Sequence, residues 1–186
     1  IYDEHIYMFS LTSINKIYEL FDFELVDAIP QLTHGGSMRY IIKRKGSSKK
    51  SKRLLKLLHN EKSKKIDKIS GCFKFKNNVK KSKKRLKEKL QKILKKKGKI
   101  CGYGATSKST TILNYCNITN KMIDCIYDTT PEKIGKLSPG THIPIINYKY
   151  FEKSNYKNIF LFAWNHKKEI MKKEKRKNIN WFNHLS

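Results

Sequence analysis

Three short apolar runs in the second half of the chain constrain its fold more than any other feature. They are Lys99–Tyr103, Met122–Tyr127 and Asn158–Ala163. Each is too short for a stable helix, is rich in β-branched or aromatic residues, and gives way to turn residues or helical spacing. Ser109–Cys116 and Asn165–Lys177, the latter with Glu169 and Ile170, supply helical segments. A loop over Thr129–Pro144 leads to a short helix near Tyr148–Lys153. Strands alternating with helices pair in parallel, because each crossover helix returns the chain to run in the same direction. The pattern predicts an α/β fold over residues 98–186, with a Rossmann-like parallel sheet and flanking helices.

Upstream the texture differs. Residues 10–22 place Leu11, Ile14, Ile17, Tyr18 and Phe21 at helical spacing, with Ser10 as N-cap. Phe23–Ile29 alternates apolar and acidic residues, a turn runs from Pro30 to Gly36, and Ser37–Lys43 is a second strand, so an antiparallel hairpin is expected. Residues 45–97 form a basic helical connector. Its first part has an apolar stripe at Leu54, Leu55, Leu58, Ile66 and Ile69. Over 79–97, Val79, Leu86, Leu90, Ile93 and Leu94 share one helix face and lysines hold the other. The chain therefore divides at 1–44, 45–97 and 98–186.

That connector holds most of the charge. The formal net charge is +27, and residues 43–99 contribute 26 Lys+Arg against 3 Asp+Glu. Such a balance raises nucleic acid or another polyanion as a partner of residues 43–99. Lys outnumbers Arg 37 to 5, however, and base-edge readout and bidentate phosphate clamps favour Arg. Lys, Ile and Asn are abundant together, which points to a coding bias, and the simpler reading is a solvated surface with nucleic acid not required.

Cys72, Cys101, Cys116 and Cys125 contain no C-x-x-C pair, so a zinc knuckle or thioredoxin-like motif is not encoded. Cys101, Cys116 and Cys125 lie among apolar residues and are expected as reduced core thiols in a cytoplasmic protein. No apolar run approaches the ~18 residues of a membrane-spanning helix.

Three constellations could carry chemistry. Tyr2, Glu4 and His5 open the chain. An imidazole beside a carboxylate and a phenol can take a proton near neutral pH while its neighbours orient it, although a polar chain start is also ordinary surface. His34, Gly35, Gly36 and Ser37, with Arg39 two residues on, could bring amides and polar side chains to phosphate or hydroxyl oxygens, or could simply turn a hairpin. Gly102, Gly104 and Lys108 lie in a strand-to-helix turn, Gly102–Lys108, whose amides suit an anion. Asp128 follows Gly104 by 24 residues, near where a dinucleotide site holds its ribose, but Ser107 replaces the third glycine of that fingerprint. A Rossmann-like turn that binds no NAD is the expectation.

The series IYDEHIYMFSLTSI, THGGSMR, ICGYGATSKSTTILNYC, TTPEKIGKLSPGTHIPI and FAWNHKKEI resembles the SAM-dependent C-methyltransferases that act on nucleotide-linked keto-sugars. The stretches bracket nearly the whole chain in order, and Glu61, Phe73 and Phe75 fall where that family's connector carries an acid and aromatics.

The resemblance implies an N-terminal zinc module, a central domain binding S-adenosyl-L-methionine and a C-terminal Rossmann-like domain. On it, residues 1–44 are the end of the catalytic domain. His5 is the general base that forms an enolate next to a sugar ketone, and Glu4 and Tyr2 position or polarise it. His34, Gly35, Gly36, Ser37, Arg39, Gly102, Gly104 and Lys108 are candidate substrate contacts. No metal ligand is assigned within the chain, zinc belonging only to the N-terminal module. Neither the glycine loop of a SAM domain nor the zinc cysteines appear in the sequence. The chain is thus expected to be the C-terminal part of a longer protein, or a split or decayed gene product, and inactive alone.

Overall fold

A computed structural model describes residues 6–33 and 36–185. The chain forms two compact units, one ending at Asn78 and the other beginning at Val79.

The first unit is built on a hairpin. Strand β1 (Phe23–Gln31) pairs antiparallel with β2 (Ser37–Arg44), from Gln31 opposite Ser37 to Phe23 opposite Arg44. The register shifts between Leu25 and Asp27, so Val26 is an extra residue that re-aims the strand. Leu25, Ala28, Met38, Tyr40 and Ile42 consequently share one packed cluster. Helix α1 (Leu11–Glu19) adds Leu11 and Ile14, and α2 (Lys52–Lys64) adds Leu54, Leu57 and Leu58. A two-stranded sheet is marginal by itself, and these helices supply the apolar cover it needs. Ser10 and Ser13 cap α1 reciprocally, side chain to backbone in both directions.

The start of α2 is tied to β1 through polar groups. The Ser51 hydroxyl accepts the Leu54 amide and donates to Asp27, whose carboxylate also pairs with Arg53. These partners hold the Asp27 carboxyl well below the usual carboxylate range, at about 2, with the Arg53 hydrogen bond the largest cause.

Helix α3 (Ile69–Lys95) starts ten residues before the helix expected from sequence, because Ile69–Asn78, poor in any apolar period, continues the same helix. In the second unit its Leu86 and Leu90 are buried against the sheet.

That sheet has the order β5-β4-β3-β6-β7, every pair parallel. The strands are β3 (Ile100–Tyr103), β4 (Ile126–Asp128), β5 (Ile145–Asn147), β6 (Asn158–Leu161) and β7 (Asn180–Phe182). The alternation of each strand divides its side chains between two cores. Ile100, Ile126, Phe160 and Phe182 face α3 and α4 (Ser107–Cys116), where Leu86, Leu90, Leu113 and Cys116 meet them. Cys101, Tyr103, Cys125, Tyr127, Ile159 and Leu161 face the other way, onto Phe151, with Trp181 and with Ile170 of α5 (Lys167–Lys173). The parallel Rossmann-like sheet is as expected. So is the burial of Cys101, Cys116 and Cys125 as free thiols, all with pKa values raised mainly by burial.

Several elements differ from the sequence reading. β5 and β7 have three residues each and were hidden in a loop and a chain end, since so short a run has no visible period. The strand expected from Met122 begins only at Ile126, because the Met122 and Ile123 amides turn back to the Thr119 carbonyl. The helix expected from Asn165 is a 3-10 turn over Trp164–His166 followed by α5, which ends at Lys173. Tyr148–Tyr150 is likewise a 3-10 turn.

Candidate functional site

The chain enters the parallel sheet at its centre. From β3 it moves outward to β4 and β5, then returns to lay β6 on the other side of β3 and β7 beyond it. The crevice at the carboxyl ends of β3 and β6 is therefore the point where the winding reverses, the usual ligand position in open α/β sheets. Two loops form it, residues 104–106 after β3 and residues 162–166 after β6.

Gly104 makes the first loop possible. Its φ of +88° suits glycine, and an added Cβ would sit 3.1 Å from the Ala163 side chain across the crevice. Gly102 has a different job. It is buried mid-strand, where a Cβ would fall 2.6 Å from the Phe162 ring, so packing rather than ligand approach requires it. The Thr106 hydroxyl caps α4 by accepting the Ser109 amide at 3.1 Å.

Lys108 lies in the first turn of α4 and reaches the opposite loop. Its ammonium donates to Asn165 Oδ1 at 3.2 Å and stands 5.5 Å from the Trp164 ring centre. The His184 ring also stands against Trp164, ring centres 6.0 Å apart and nearly perpendicular. Burial lowers the His184 pKa. The crevice thus presents a cation, an amide and an indole at one end of the sheet. Such a set can bind an anionic, partly planar ligand by charge and stacking.

Asp128 ends β4 and was weighed from sequence as a ribose acid. Both its oxygens are taken by backbone: Oδ2 accepts the Ala105 amide at 2.6 Å and Oδ1 the Thr130 amide at 2.7 Å. It holds the glycine turn. Lys133 closes the same turn by donating to the Ala105 carbonyl at 2.9 Å, and beside it lies a hollow of about 290 Å³ lined by Thr106, Ser109, Lys133, Lys136 and Ser138.

In the first unit Ser37 and Arg39 lie two apart on β2, opposite Gln31 and Ile29, and outside the cluster that packs on α1 and α2. Both are exposed, and Gly36 turns into them with φ +129° and its amide bonded to the Thr33 carbonyl. Tyr2, Glu4, His5, His34 and Gly35 lie outside the described residues. Of the candidates from sequence, the structure groups Gly104 and Lys108 in one crevice and Gly36, Ser37 and Arg39 on one strand end. Trp164, Asn165 and His184 were missed as site residues. The first two stand in the FAWNHKKEI stretch, but nothing in a single sequence says that a strand end faces Lys108.

At the end of α3, Lys89, Lys92 and Lys95, with Lys96 just beyond, line a hollow of about 620 Å³ together with Gly98, Asn158 and Asn180. Lys74, Lys76, Lys80, Lys81, Lys84 and Lys92 are exposed at positions that fan around the helix, leaving only the side that carries Leu86 and Leu90. Among the described residues no group of three or more His, Cys, Asp or Glu could hold a metal ion. No helix among them is long and apolar enough to cross a membrane.

A family model described as the C-methyltransferase C-terminal domain matches residues 32–182. The chain belongs to this family. The matched stretch includes the β1–β2 turn, the connector helices and the whole parallel sheet, so the crevice at Lys108 is part of the family's domain. The chain is also similar to the C-methyltransferase NovU of Streptomyces niveus, with 27% identity over 176 residues. That alignment covers 94% of this chain and 42% of the relative, so the chain spans less than half the length of the curated protein it matches.

Proposed function

We propose that this chain carries the proton-abstracting motif and the C-terminal domain of a C-methyltransferase that takes its methyl group from S-adenosylmethionine and acts on a nucleotide-linked keto-sugar. The observation that carries this reading is that a member of the C-methyltransferase C-terminal domain family also carries the sequence Tyr2-x-Glu4-His5.

The described residues do not fit S-adenosylmethionine. The acid that could take a ribose, Asp128, is spent on two backbone amides, and the turn before it is closed by Lys133. In this reading the methyl donor is bound elsewhere, by sequence corresponding to the part of the relative that the chain does not match.

What the chain's own residues do is move one proton and hold one substrate. A sugar ketone acidifies the C–H bond beside it. The neutral imidazole of His5 takes that proton, the C–H electron pair becomes the carbon–carbon double bond of an enolate, and negative charge passes to the ketone oxygen. Glu4 orients the imidazole and stabilises its protonated form. The Tyr2 phenol donates to the enolate oxygen. Within the parallel-sheet unit Lys108, held by Asn165, is the contact for a diphosphate oxygen; within the hairpin unit Ser37, Arg39 and His34–Gly36 are candidate contacts for phosphate or hydroxyl oxygens. Trp164 offers an apolar face beside Lys108.

The test uses the full natural-length protein and a nucleoside-diphosphate 4-keto-sugar in deuterated water. Deuterium entering the carbon next to the ketone, followed by methyl transfer, is expected for the unmodified protein, and His5→Ala is expected to abolish both. Full exchange by the His5→Ala variant would remove His5 from the mechanism.

A further inference from the structure

The described residues that follow the candidate base in sequence have few anchors. Ile6, Tyr7, Met8 and Phe9 are 80%, 73%, 69% and 56% exposed, and apart from a Tyr7–Phe9 ring contact of 6.1 Å they pack on little. The first residues after His5 that are held firmly are those opening α1.

That opening is held from 50 residues away. Glu61, in the last turns of α2, accepts the Leu11 amide on Oε1 at 2.9 Å. Its Oε2 accepts both the Thr12 amide at 2.9 Å and the Thr12 hydroxyl at 2.7 Å. The other two donors are satisfied within the cap: the Ser10 hydroxyl accepts the Ser13 amide at 3.0 Å, and the Ser10 amide donates to the Ser13 hydroxyl at 2.8 Å. All four amides that a helix start leaves unbonded are therefore satisfied, two of them by a carboxylate placed where the helix dipole favours negative charge. α1 has only nine residues and would be marginal alone. Leu54, seven residues before Glu61, sits with Leu11 in the buried cluster, so the face of α2 that packs the hairpin also aims the carboxylate.

We infer that Glu61 is a positioning residue for the reaction: it clamps Leu11 and Thr12 and so fixes the start of α1, the first element that follows Tyr2, Glu4 and His5 in the sequence. This rests on the reading of His5 as the base. Glu61 touches no reacting atom. It acts through the backbone at residues 11 and 12, and orientation errors of an ångström at a reacting centre cost large factors in rate.

The test measures kcat, KM and substrate C–H exchange for Glu61→Ala and Glu61→Gln in the full-length protein, beside His5→Ala. Glu61→Ala is expected to lower kcat about tenfold or more with KM within about twofold of the parent, and to speed hydrogen exchange at the Leu11 and Thr12 amides. Glu61→Gln keeps the size and one acceptor, folds where the alanine variant fails to, and should fall between. Parental kcat for Glu61→Gln and Glu61→Ala beside a dead His5→Ala overturns the clamp alone. So does a loss in both variants that raises KM and lowers kcat only in step with the unfolded fraction. Full turnover in His5→Ala overturns the reading of the base, and the clamp's role in catalysis with it.

Discussion

The carboxylate of Asp128 accepts the Ala105 amide at 2.6 Å across neighbouring strand ends, so the acid at the end of β4 builds the glycine turn after β3. Asp128 is buried, and its second oxygen holds the Thr130 amide. Replacing it by Ala leaves two amides without partners and should cost about 2 kcal/mol of unfolding free energy, seen as a lower denaturant midpoint. Asp128→Asn, which keeps one acceptor oxygen, should cost less. An unchanged midpoint for Asp128→Ala would show that water replaces the carboxylate at no cost.

Gly102 is required by its neighbours. A methyl group there meets the Phe162 ring at 2.6 Å and Ile126 at 3.0 Å, both fully buried. Phe162 is itself locked against Phe160, ring centres 4.3 Å apart. Gly102→Ala should therefore destabilise the parallel-sheet unit by about 1–3 kcal/mol through overpacking, measured by chemical denaturation.

The first unit has a defined acid sensitivity. Asp27, held at about 2 by Arg53 and Ser51, has a folded pKa below its ordinary value of 3.8. Its contribution is fully present above about pH 4 and is lost as pH falls through 2, since the unfolded chain binds the proton first. Unfolding midpoints followed from pH 5 to pH 2 should fall more steeply for the unmodified chain than for Asp27→Asn.

Lys108 bridges to Asn165 beside Trp164 at the mouth of the crevice. On the proposed function, Lys108→Ala in the full-length protein should raise KM for a nucleotide-linked sugar roughly tenfold by removing a charge-assisted contact. Because the side chain is at the surface of the crevice, the melting temperature should move little. A KM unchanged from the parent would place the diphosphate elsewhere.

The candidate site was only partly legible in sequence. The glycine turn and Lys108 stood out because glycines before a helix start form a local pattern. Trp164, Asn165 and His184 did not, because only the placement of β6 and β7 beside β3 brings them to the same end of the sheet. Asp128 was visible as an acid at a strand end, but whether it faced a ligand or a backbone amide depended on the path of residues 104–106, which sequence does not record.

By itself the sequence determined the class of the fold. Short apolar runs at 100–103, 126–128 and 158–161, each bounded by turn residues, and the apolar stripe of Leu86, Leu90 and Ile93 beneath a lysine surface are local signals, and they say which segments are buried on both faces and which on one. Tertiary structure decided what has no period. β5 and β7, three residues each, are strands only because β4 and β6 offer them an edge. Glu61 is one acid in a lysine-rich helix until packing of Leu54 against Leu11 carries it to the start of α1, 50 residues back along the chain. Contacts between residues so far apart are set by which faces can be buried together, and that is a property of the assembled core.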